Sequence, residues 1–352
     1  MNIVDLITIA RERRVSDIHI TALRNPLFRI DGELIETEFE LNQMEKDGLI
    51  VSMMDARQYA AINSGADIDL SYAMEDGQRQ RVNIYRQQGS LAAAIRILND
   101  EIPTLEQLNL PDVLRQLTYE PRGLILVTGP TGSGKSTTLA AMIDHINQTR
   151  ARHILTIEDP VEYVYQHKKS TIHQRDIGLD VDSFAGALRS AMREDPDIIL
   201  LGEMRDYETI SAAITAAETG HLVLSTLHTS GAATTVDRII DVFPPHNQQQ
   251  IRTQLSSVLR GVITQTLLPK ANDKGRVPAF EIMIGTDAIL TLIRESKAHQ
   301  INSIIQTSSR QGMILLDTCL ANLVRSGTVR IDHARERAHD KIEFMSAVTR
   351  VQ

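Results

Sequence analysis

The chain has 352 residues, of which 42% are hydrophobic and 23% charged, a composition typical of a soluble globular protein with roughly two domains. Its formal net charge of -8 argues against general affinity for nucleic acid. Cys319 is the single cysteine, which excludes an intramolecular disulfide or a cysteine metal cluster, and the apolar residues around it predict a buried thiol on a helix. The N-terminus lacks a signal-peptide core and no apolar run approaches the ~20 residues that span a bilayer, so we expect a cytoplasmic protein without direct membrane insertion.

The first 100 residues mix short strands with helices. Apolar residues recur on one face of residues 2–15, which predicts a helix, and a second helix is predicted over residues 42–61. Asp31-Gly32 is a hairpin signal between two strand-like runs, and Glu75-Asp76-Gly77 is a turn between two more. Mixed helices and antiparallel hairpins favour a small α+β domain. Its predicted strands are residues 17–20, 27–30, 33–35, 67–72, 79–85 and 91–97.

A polar connector separates this region from the rest of the chain. Residues 99–103 break the strand pattern, so we place the domain boundary there, with a connector over residues 101–120 and a helix starting at Pro111. From Gly123 onward, apolar strands alternate with helices, which predicts a parallel sheet with right-handed crossovers. The predicted strands are 123–129, 153–157, 197–201 and 222–226, and the predicted helices are 182–194, 206–219 and 247–265.

The stretch Gly129-Pro-Thr-Gly-Ser-Gly-Lys135-Ser136-Thr137 lies between an apolar run and a helical pattern, the context required of a G-x-x-x-x-G-K-[ST] loop. Its glycines let successive backbone N–H groups point at phosphate oxygens, and the following helix adds the positive end of its dipole. Lys135 supplies a cation for the outer phosphates, and the Ser136 hydroxyl can ligate Mg²⁺. The loop therefore predicts a nucleoside-triphosphate site formed by Gly129, Pro130, Thr131, Gly132, Ser133, Gly134, Lys135, Ser136 and Thr137.

Polar residues follow the other predicted strands of this sheet. Ligands bind beyond the carboxyl ends of the strands in an open parallel sheet, so we expect these residues near the phosphate-binding loop. Hydrolysis needs a carboxylate that orients the attacking water and another that holds Mg²⁺ directly or through its water shell, and Glu162 and Glu203 are the best candidates. For His228, a sensor of the γ-phosphate and an ordinary strand-end histidine are equal alternatives.

Arginines recur in the predicted strands of the first domain. Arg79, Arg81, Arg86 and Arg96 fit a solvated sheet face, which is the usual reading of such a run. The alternative is that they reach the triphosphate of a neighbouring subunit, because multimeric P-loop motors often complete a site in this way.

Three segments resemble the signature motifs of secretion ATPases. Residues 154–162, Ile-Leu-Thr-Ile-Glu-Asp-Pro-Val-Glu, resemble their aspartate box, residues 193–206 their Walker B segment, and residues 215–229 their histidine box. With the phosphate-binding loop, these segments resemble the type II/type IV secretion ATPase superfamily, and most closely the PilT-type retraction ATPases of type IV pili. The likeness runs from Ser16-Asp17-Ile-His19 to the C-terminal helices.

The resemblance implies an architecture and a set of partners. It implies a PAS-like N-terminal domain over residues 1–100 and a RecA-like ATPase domain with C-terminal helices over residues 121–352. The active form would be a homohexameric ring with ATP at domain and subunit boundaries. The expected partners are an inner-membrane platform protein of the pilus and related pilus ATPases, at the cytoplasmic face of the inner membrane.

The same resemblance assigns residue roles. Lys135 and Ser136 would bind phosphate and Mg²⁺, Glu162 would be the catalytic carboxylate, and Glu203 would help hold Mg²⁺. His228 would face the phosphates. The N-terminal domain would contribute two arginines that approach the nucleotide in the ring, Arg81 and Arg96.

Two features bear on the branch of the superfamily. Assembly-type ATPases usually carry a four-cysteine zinc-binding insertion after the segment that matches residues 262–268, whereas here residues 269–276 lead directly to residues 277–284 without a cysteine. This favours the retraction branch. Against it, retraction ATPases typically have an Arg-Asn pair where this chain has Leu290 and Thr291, which weakens family inferences about that segment.

The sequence therefore predicts a hexameric Mg-ATPase that drives pilus retraction and twitching motility. One alternative is a motor for pilus assembly or type II secretion. A second is a nucleotide-switched accessory ring that hydrolyses ATP negligibly. A DNA translocase is disfavoured by the net charge.

Overall fold

The computed structural model describes residues 1–30, 32–75, 77–98, 101–272 and 275–349. The predicted turns at Asp31 and Asp76 and the start of the predicted boundary at residues 99–100 lie outside the described residues. The chain divides into two compact units. The N-terminal unit comprises Met1–Glu101 and Pro160–Tyr165, and the C-terminal unit comprises Ile102–Asp159 and Gln166–Gln352.

The N-terminal unit contains a six-stranded antiparallel sheet whose apolar face packs with helices into one core. The strands are β1 (Asp17–Ile20), β2 (Leu27–Ile30), β3 (Glu33–Glu36), β4 (Ile68–Ala73), β5 (Arg79–Gln87) and β6 (Ser90–Ile97), and the helices are α1 (Ile3–Glu12), α2 (Gln43–Val51) and α3 (Ala56–Asn63). The strands lie in the order β3-β2-β1-β6-β5-β4. The three helices begin with capping boxes at Asn2, Asn42 and Asp55, in which the N-cap side chain and the side chain three residues later each accept the other residue's backbone N–H.

The single helix predicted over residues 42–61 is wrong, because the segment forms the two helices α2 and α3. The Asp55 carboxylate accepts a hydrogen bond from the Gln58 backbone N–H at 2.7 Å, and Asp55 itself has an extended backbone. An aspartate in this conformation begins a new helix and cannot continue an existing one. The break therefore comes from a local cap that the apolar period does not reveal.

The C-terminal unit contains a seven-stranded sheet. Its strands are β7 (Gly123–Thr128), β8 (His153–Glu158), β9 (Thr171–Asp176), β10 (Ile198–Leu201), β11 (Leu222–Leu227), β12 (Leu259–Pro269) and β13 (Arg276–Ile284). They lie in the order β13-β12-β7-β11-β10-β8-β9, and neighbouring strands are parallel except for the antiparallel pair β12 and β13. The helices are α4 (Asp112–Leu117), α5 (Lys135–Thr149), α6 (Phe184–Ala191), α7 (Tyr207–Glu218), α8 (Ala232–Asp241), α9 (Gln248–Val258), α10 (Asp287–Arg294), α11 (Ile301–Thr307), α12 (Leu316–Arg325), α13 (Ile331–Arg337) and α14 (Lys341–Thr349).

The helix predicted over residues 247–265 is also wrong beyond Val258. Helix α9 ends there, and the next residue begins β12, which pairs with β7 on one side and β13 on the other. A central strand is apolar on both faces, so its sequence cannot be distinguished from a buried helix by periodicity. The pairing partners decide the structure, and β13 and the edge strand β9 were likewise not predicted.

The last helices of the chain form a separate apolar cluster with β13, to which Leu316, Leu320 and Phe344 contribute. Among the described residues, no helix combines the length and apolarity needed to cross a membrane. Cys319 lies in this cluster on α12, where its Sγ accepts a hydrogen bond from the Phe280 backbone N–H at 3.3 Å. Burial raises the pKa of the Cys319 thiol above its usual value.

We expect the Cys319 thiol of the native protein to react with a disulfide reagent at pH 8 at least ~10-fold more slowly than in the unfolded chain, because the reactive species is the thiolate. The rate of thiolate release, followed by absorbance in native buffer and in denaturant, measures this. Equal rates in the two conditions would contradict the partly buried position of Cys319.

Candidate nucleotide-binding site

The phosphate-binding loop, residues 129–134, joins β7 to the first turn of α5. All residues of β7 are buried, so the loop begins from the centre of the sheet. Gly129 has φ of +138°, and a Cβ there would lie 2.2 Å from the Gln265 carbonyl oxygen, so this position requires glycine. A Cβ on Gly132 would meet nothing within 4 Å. The exposed residues of the loop are Pro130, Thr131 and Gly132, and Ser136 in the first turn of α5 is exposed as well.

The polar groups of this loop form a cradle for an anion. Lys135 Nζ donates to the carbonyl oxygens of Gly129 and Pro130 at 2.9 and 3.1 Å, which holds the ammonium at the loop. Gly134, the N-cap residue of α5, makes no side-chain capping bond, and the positive end of the helix dipole faces the loop. Ser133 Oγ is buried and has no hydrogen-bond partner among the described residues. Buried hydroxyls normally have partners, so this arrangement fits the oxygens of bound phosphates.

Gln265 on β12 supports the loop from beneath, a role that the sequence did not reveal. Its Nε2 donates to the Ser133 carbonyl oxygen at 2.7 Å, and its Oε1 accepts from Thr138 Oγ1 at 2.7 Å. The side chain therefore joins the loop to the first turn of α5. Next to it, the hydroxyls of Thr128 and Thr264 bond at 2.9 Å and link the end of β7 to β12. Sequence analysis placed Gln265 on a helix, so it could not identify this contact.

We expect Gln265→Leu to raise the Kd for ADP by about 10-fold, because it leaves a buried carbonyl and a buried hydroxyl unpaired and frees the loop. Gln250→Leu on the exposed face of α9 is the matched control and should bind ADP as the wild type does. Titration with a fluorescent ADP analogue measures both. Unchanged affinity in a folded Gln265→Leu protein would contradict the supporting role.

Four neighbouring parallel strands end level with each other at the loop edge of the sheet. Register pairs Ile157 with Leu201, Leu201 with Ser225, and Leu227 with Thr128. The Gly129 N–H donates to the Leu227 carbonyl oxygen at 3.3 Å, which fixes the phosphate-binding loop to the end of β11. The residues that follow β10 and β11 therefore lie at the same edge as the loop.

Glu203 and His228 meet at this edge. Glu203 follows β10 and His228 follows β11, and Glu203 Oε2 lies 3.6 Å from His228 Nε2. The second oxygen, Oε1, pairs with Arg205 Nε at 2.7 Å. The Glu203 side chain is only 17% exposed, whereas those of His228 and Arg205 are 45% and 71% exposed. A shielded carboxylate with an exposed imidazole beside it can hold a hydrated cation and contact an anion at one site.

Glu158 is a further carboxylate at this edge that sequence analysis did not choose. It is the last residue of β8, and its Oε1 accepts from Thr156 Oγ1 at 2.7 Å. A Cβ on Gly202, the residue before Glu203, would lie 3.3 Å from the Glu158 Cα, so the two strand ends are in close contact. The sequence signal that could have identified Glu158 is its position at the carboxyl end of an apolar run.

Glu162 belongs to the segment Pro160–Tyr165, which clusters with the N-terminal unit. Its side chain is half-buried, between the buried residues Val161 and Tyr165 of the same segment. The catalytic role predicted for Glu162 therefore stays a prediction.

Arg81 and Arg96 stand directly opposite each other on β5 and β6, on the face of the sheet that points away from the core. Arg96 also pairs across to Asp17 on β1, with Nε 3.0 Å from Oδ1, and Arg29 Nε lies 3.9 Å from Asp17 Oδ2. One cross-strand row thus carries three arginines and a single carboxylate. The excess positive charge suits a polyanion, and the predicted approach of these arginines to nucleotide stays a prediction.

Leu290 and Thr291, which depart from the family pattern, lie on α10. Leu290 packs against the main apolar cluster of the C-terminal unit, and Thr291 Oγ1 accepts from Arg294 Nη2 at 3.4 Å. Leu290 therefore adds an apolar side chain to the core at a position where the family pattern has an arginine.

Comparison with known proteins places the chain in a family. The family model described as type II/IV secretion system protein matches residues 2–339, and the chain belongs to this family. It is 47% identical over 339 residues to the type IV pilus retraction ATPase PilT of Pseudomonas aeruginosa, covering 96% of this chain and 98% of that protein. It is also 47% identical over 326 residues to a twitching motility protein of Neisseria gonorrhoeae, covering 92% and 87% of the two chains.

A solved structure supports the same family assignment. The crystal structure of the pilus retraction motor PilT with bound ADP superimposes with a TM-score of 0.91 at 46% identity, covering 97% of this chain and 98% of that one. The predicted family is therefore confirmed, as is the predicted fold class, an α/β RecA-like P-loop domain with a smaller N-terminal α+β domain of the PAS-like kind.

Proposed function

We propose that this chain is an ATP-hydrolysing motor that powers type IV pilus retraction and so twitching motility. The observation that carries the proposal is the phosphate cradle at the strand ends, where a shielded carboxylate and a histidine share one edge with Lys135. Identity of 47% over nearly the whole of both chains to a retraction ATPase supports the biological role.

The residues at this edge divide the work of hydrolysis. The backbone N–H groups of the loop and α5, with Lys135, bind and orient the phosphates. Ser136 and Glu203 would hold Mg²⁺, which supplies positive charge to the developing negative charge on the phosphate oxygens. His228 would contact the γ-phosphate, with Glu203 on its other side at 3.6 Å.

The remaining roles rest on the family resemblance. Glu162 would orient and deprotonate the attacking water. Arg81 and Arg96 would reach the nucleotide of a neighbouring subunit, for which the arginine-rich row on the N-terminal sheet supplies the charge. The same resemblance implies a homohexamer that meets a membrane platform protein and related pilus ATPases at the cytoplasmic face of the inner membrane.

Deleting the gene from a piliated host tests retraction against its alternatives. Loss of a retraction motor leaves filaments that assemble but do not shorten, so we expect excess surface pili and no twitching, both restored by the wild-type gene. Absence of pili would identify an assembly motor, and normal pilus number with full ATP turnover by the purified chain would point to a secretion motor. Normal pilus number with negligible ATP turnover by the purified chain would identify an accessory ring.

A further inference from the structure

A buried carboxylate, Glu281, connects two helices at their N-termini. It lies near the middle of β13 and is 2% exposed. Its Oε1 accepts from the Ala232 N–H, the first residue of α8, at 2.7 Å. Its Oε2 accepts from the Leu316 N–H, the first residue of α12, at 3.4 Å. One side chain therefore holds the starts of two helices that are 84 residues apart in sequence, counted from 232 to 316.

Both helices lack a local cap, which gives Glu281 its importance. The residues before them, Gly231 and Leu315, make no side-chain capping bond. Unpaired N–H groups in the first turn of a buried helix are costly, and a carboxylate there also interacts favourably with the helix dipole. Glu281 supplies from a distant strand what other helices obtain from their own N-cap residue.

Helix α8 directly follows the segment that carries His228. We define residues 228–231 as the histidine loop. Thr229 Oγ1 and Thr235 Oγ1 bond at 2.7 Å, and Thr235 Oγ1 donates to the Gly231 carbonyl oxygen at 2.7 Å, so the loop is tied to the first turn of α8. A Cβ on Gly231 would lie 3.6 Å from Glu281 Oε1. The position of the histidine loop thus depends on where α8 begins.

The second helix held by Glu281 leads into the C-terminal helical cluster. Ile282 and Ile314 pair as an isolated antiparallel bridge, with N···O distances of 2.8 and 3.2 Å. This bridge holds the start of α12 against β13. His339, between α13 and α14, places Nδ1 3.9 Å from Glu281 Oε2. Movement of the C-terminal helices would therefore act on the same carboxylate that anchors α8.

We propose that Glu281 is a positioning residue for hydrolysis, which couples the C-terminal helices to the histidine loop and acts through His228. The proposal rests on the proposed ATPase function. Glu281 contacts neither the phosphate-binding loop nor Glu203 through any hydrogen bond of the described residues, so its effect on turnover passes through α8 and the histidine loop.

A double-mutant cycle with Glu281→Gln and His228→Ala tests the proposal in the purified full-length protein. Glutamine keeps the shape but presents one oxygen to two N–H groups. We expect Glu281→Gln to lower kcat for ATP about 10-fold while KM changes less than about 2-fold, because substrate binding is retained and a contact made during hydrolysis is lost. In the His228→Ala background, adding Glu281→Gln should have no further effect on kcat.

Asp55→Ala is the matched control. The Asp55 carboxylate also caps a helix, since it accepts the Gln58 backbone N–H at the start of α3 at 2.7 Å, but it belongs to the N-terminal unit and to neither helix held by Glu281. We expect this variant to lower the melting temperature and leave kcat unchanged. Should Glu281→Gln fail to fold, Thr235→Val removes both hydrogen bonds that join the histidine loop to α8, those to Thr229 and to the Gly231 carbonyl oxygen. It should give the same loss of kcat, again absent in the His228→Ala background.

The outcomes separate the two proposals. Three results would each overturn the role of Glu281 while leaving the ATPase intact. These are wild-type kcat in the folded Glu281→Gln protein, losses of kcat from Glu281→Gln and His228→Ala that multiply in the double variant, or an equal loss of kcat in Asp55→Ala. No ATP turnover by the wild-type protein would instead refute the proposed function, and the Glu281 proposal with it.

Discussion

Lys135→Ala is expected to reduce ATP hydrolysis by the purified protein to below about one hundredth of the wild-type rate, the scale of losing one preorganised charge contact at a reaction centre. In the structure, the Lys135 ammonium is held at the phosphate-binding loop by two carbonyl oxygens and is 9% exposed. Alanine would remove the one cation that residues 129–137 contribute. Steady-state phosphate release with excess Mg-ATP is the measurement.

Lys169→Ala is the matched control, since Lys169 is an exposed lysine of the same unit that lies outside the phosphate-binding loop. It should hydrolyse ATP at the wild-type rate. If Lys135→Ala retained near-normal turnover, or if both variants lost activity equally, the loop would not be the site of hydrolysis.

Glu162→Gln is expected to lower kcat by about 10²- to 10⁴-fold, the range of general base catalysis, while ADP binds with normal affinity. Glutamine is close in shape to glutamate but cannot accept the proton of the attacking water. Phosphate release and binding of a fluorescent ADP analogue, measured on the same preparation, separate the chemical step from nucleotide binding.

An exposed carboxylate of the same unit, Glu75, provides the comparison for Glu162. Glu75→Gln should be indistinguishable from the wild type in both assays. Normal kcat in Glu162→Gln would transfer the role of general base to another carboxylate, and Glu158 at the end of β8 would be the next residue to replace.

The elements around the phosphate-binding loop could be predicted because each has a strong local signal. Strands β7, β10 and β11 are short runs of buried, mostly apolar residues bounded by glycine or polar residues. Their parallel arrangement follows from the helices between them. The loop itself has a pattern whose mechanism is known. Local sequence was therefore sufficient for the edge of the sheet where the loop lies.

The supporting residues could not be predicted, since their roles come from distant parts of the chain. Gln265 acts on a loop more than a hundred residues earlier, and the same residue would be unremarkable on the helix that periodicity favours. Glu281 caps two helices whose own N-cap residues provide no cap, and their sequences do not indicate which distant residue does so. Such contacts depend on which strands become neighbours, and periodicity does not specify that.

The structure of this chain bound to Mg²⁺ and a non-hydrolysable ATP analogue would test the central claim most directly. We expect the β- and γ-phosphates to lie against residues 129–136, with Lys135 Nζ in contact with a γ-phosphate oxygen and with His228 and the Mg²⁺-bound Glu203 on the opposite side. Phosphates bound elsewhere on the chain, or a Mg²⁺ remote from both Ser136 and Glu203, would contradict the account.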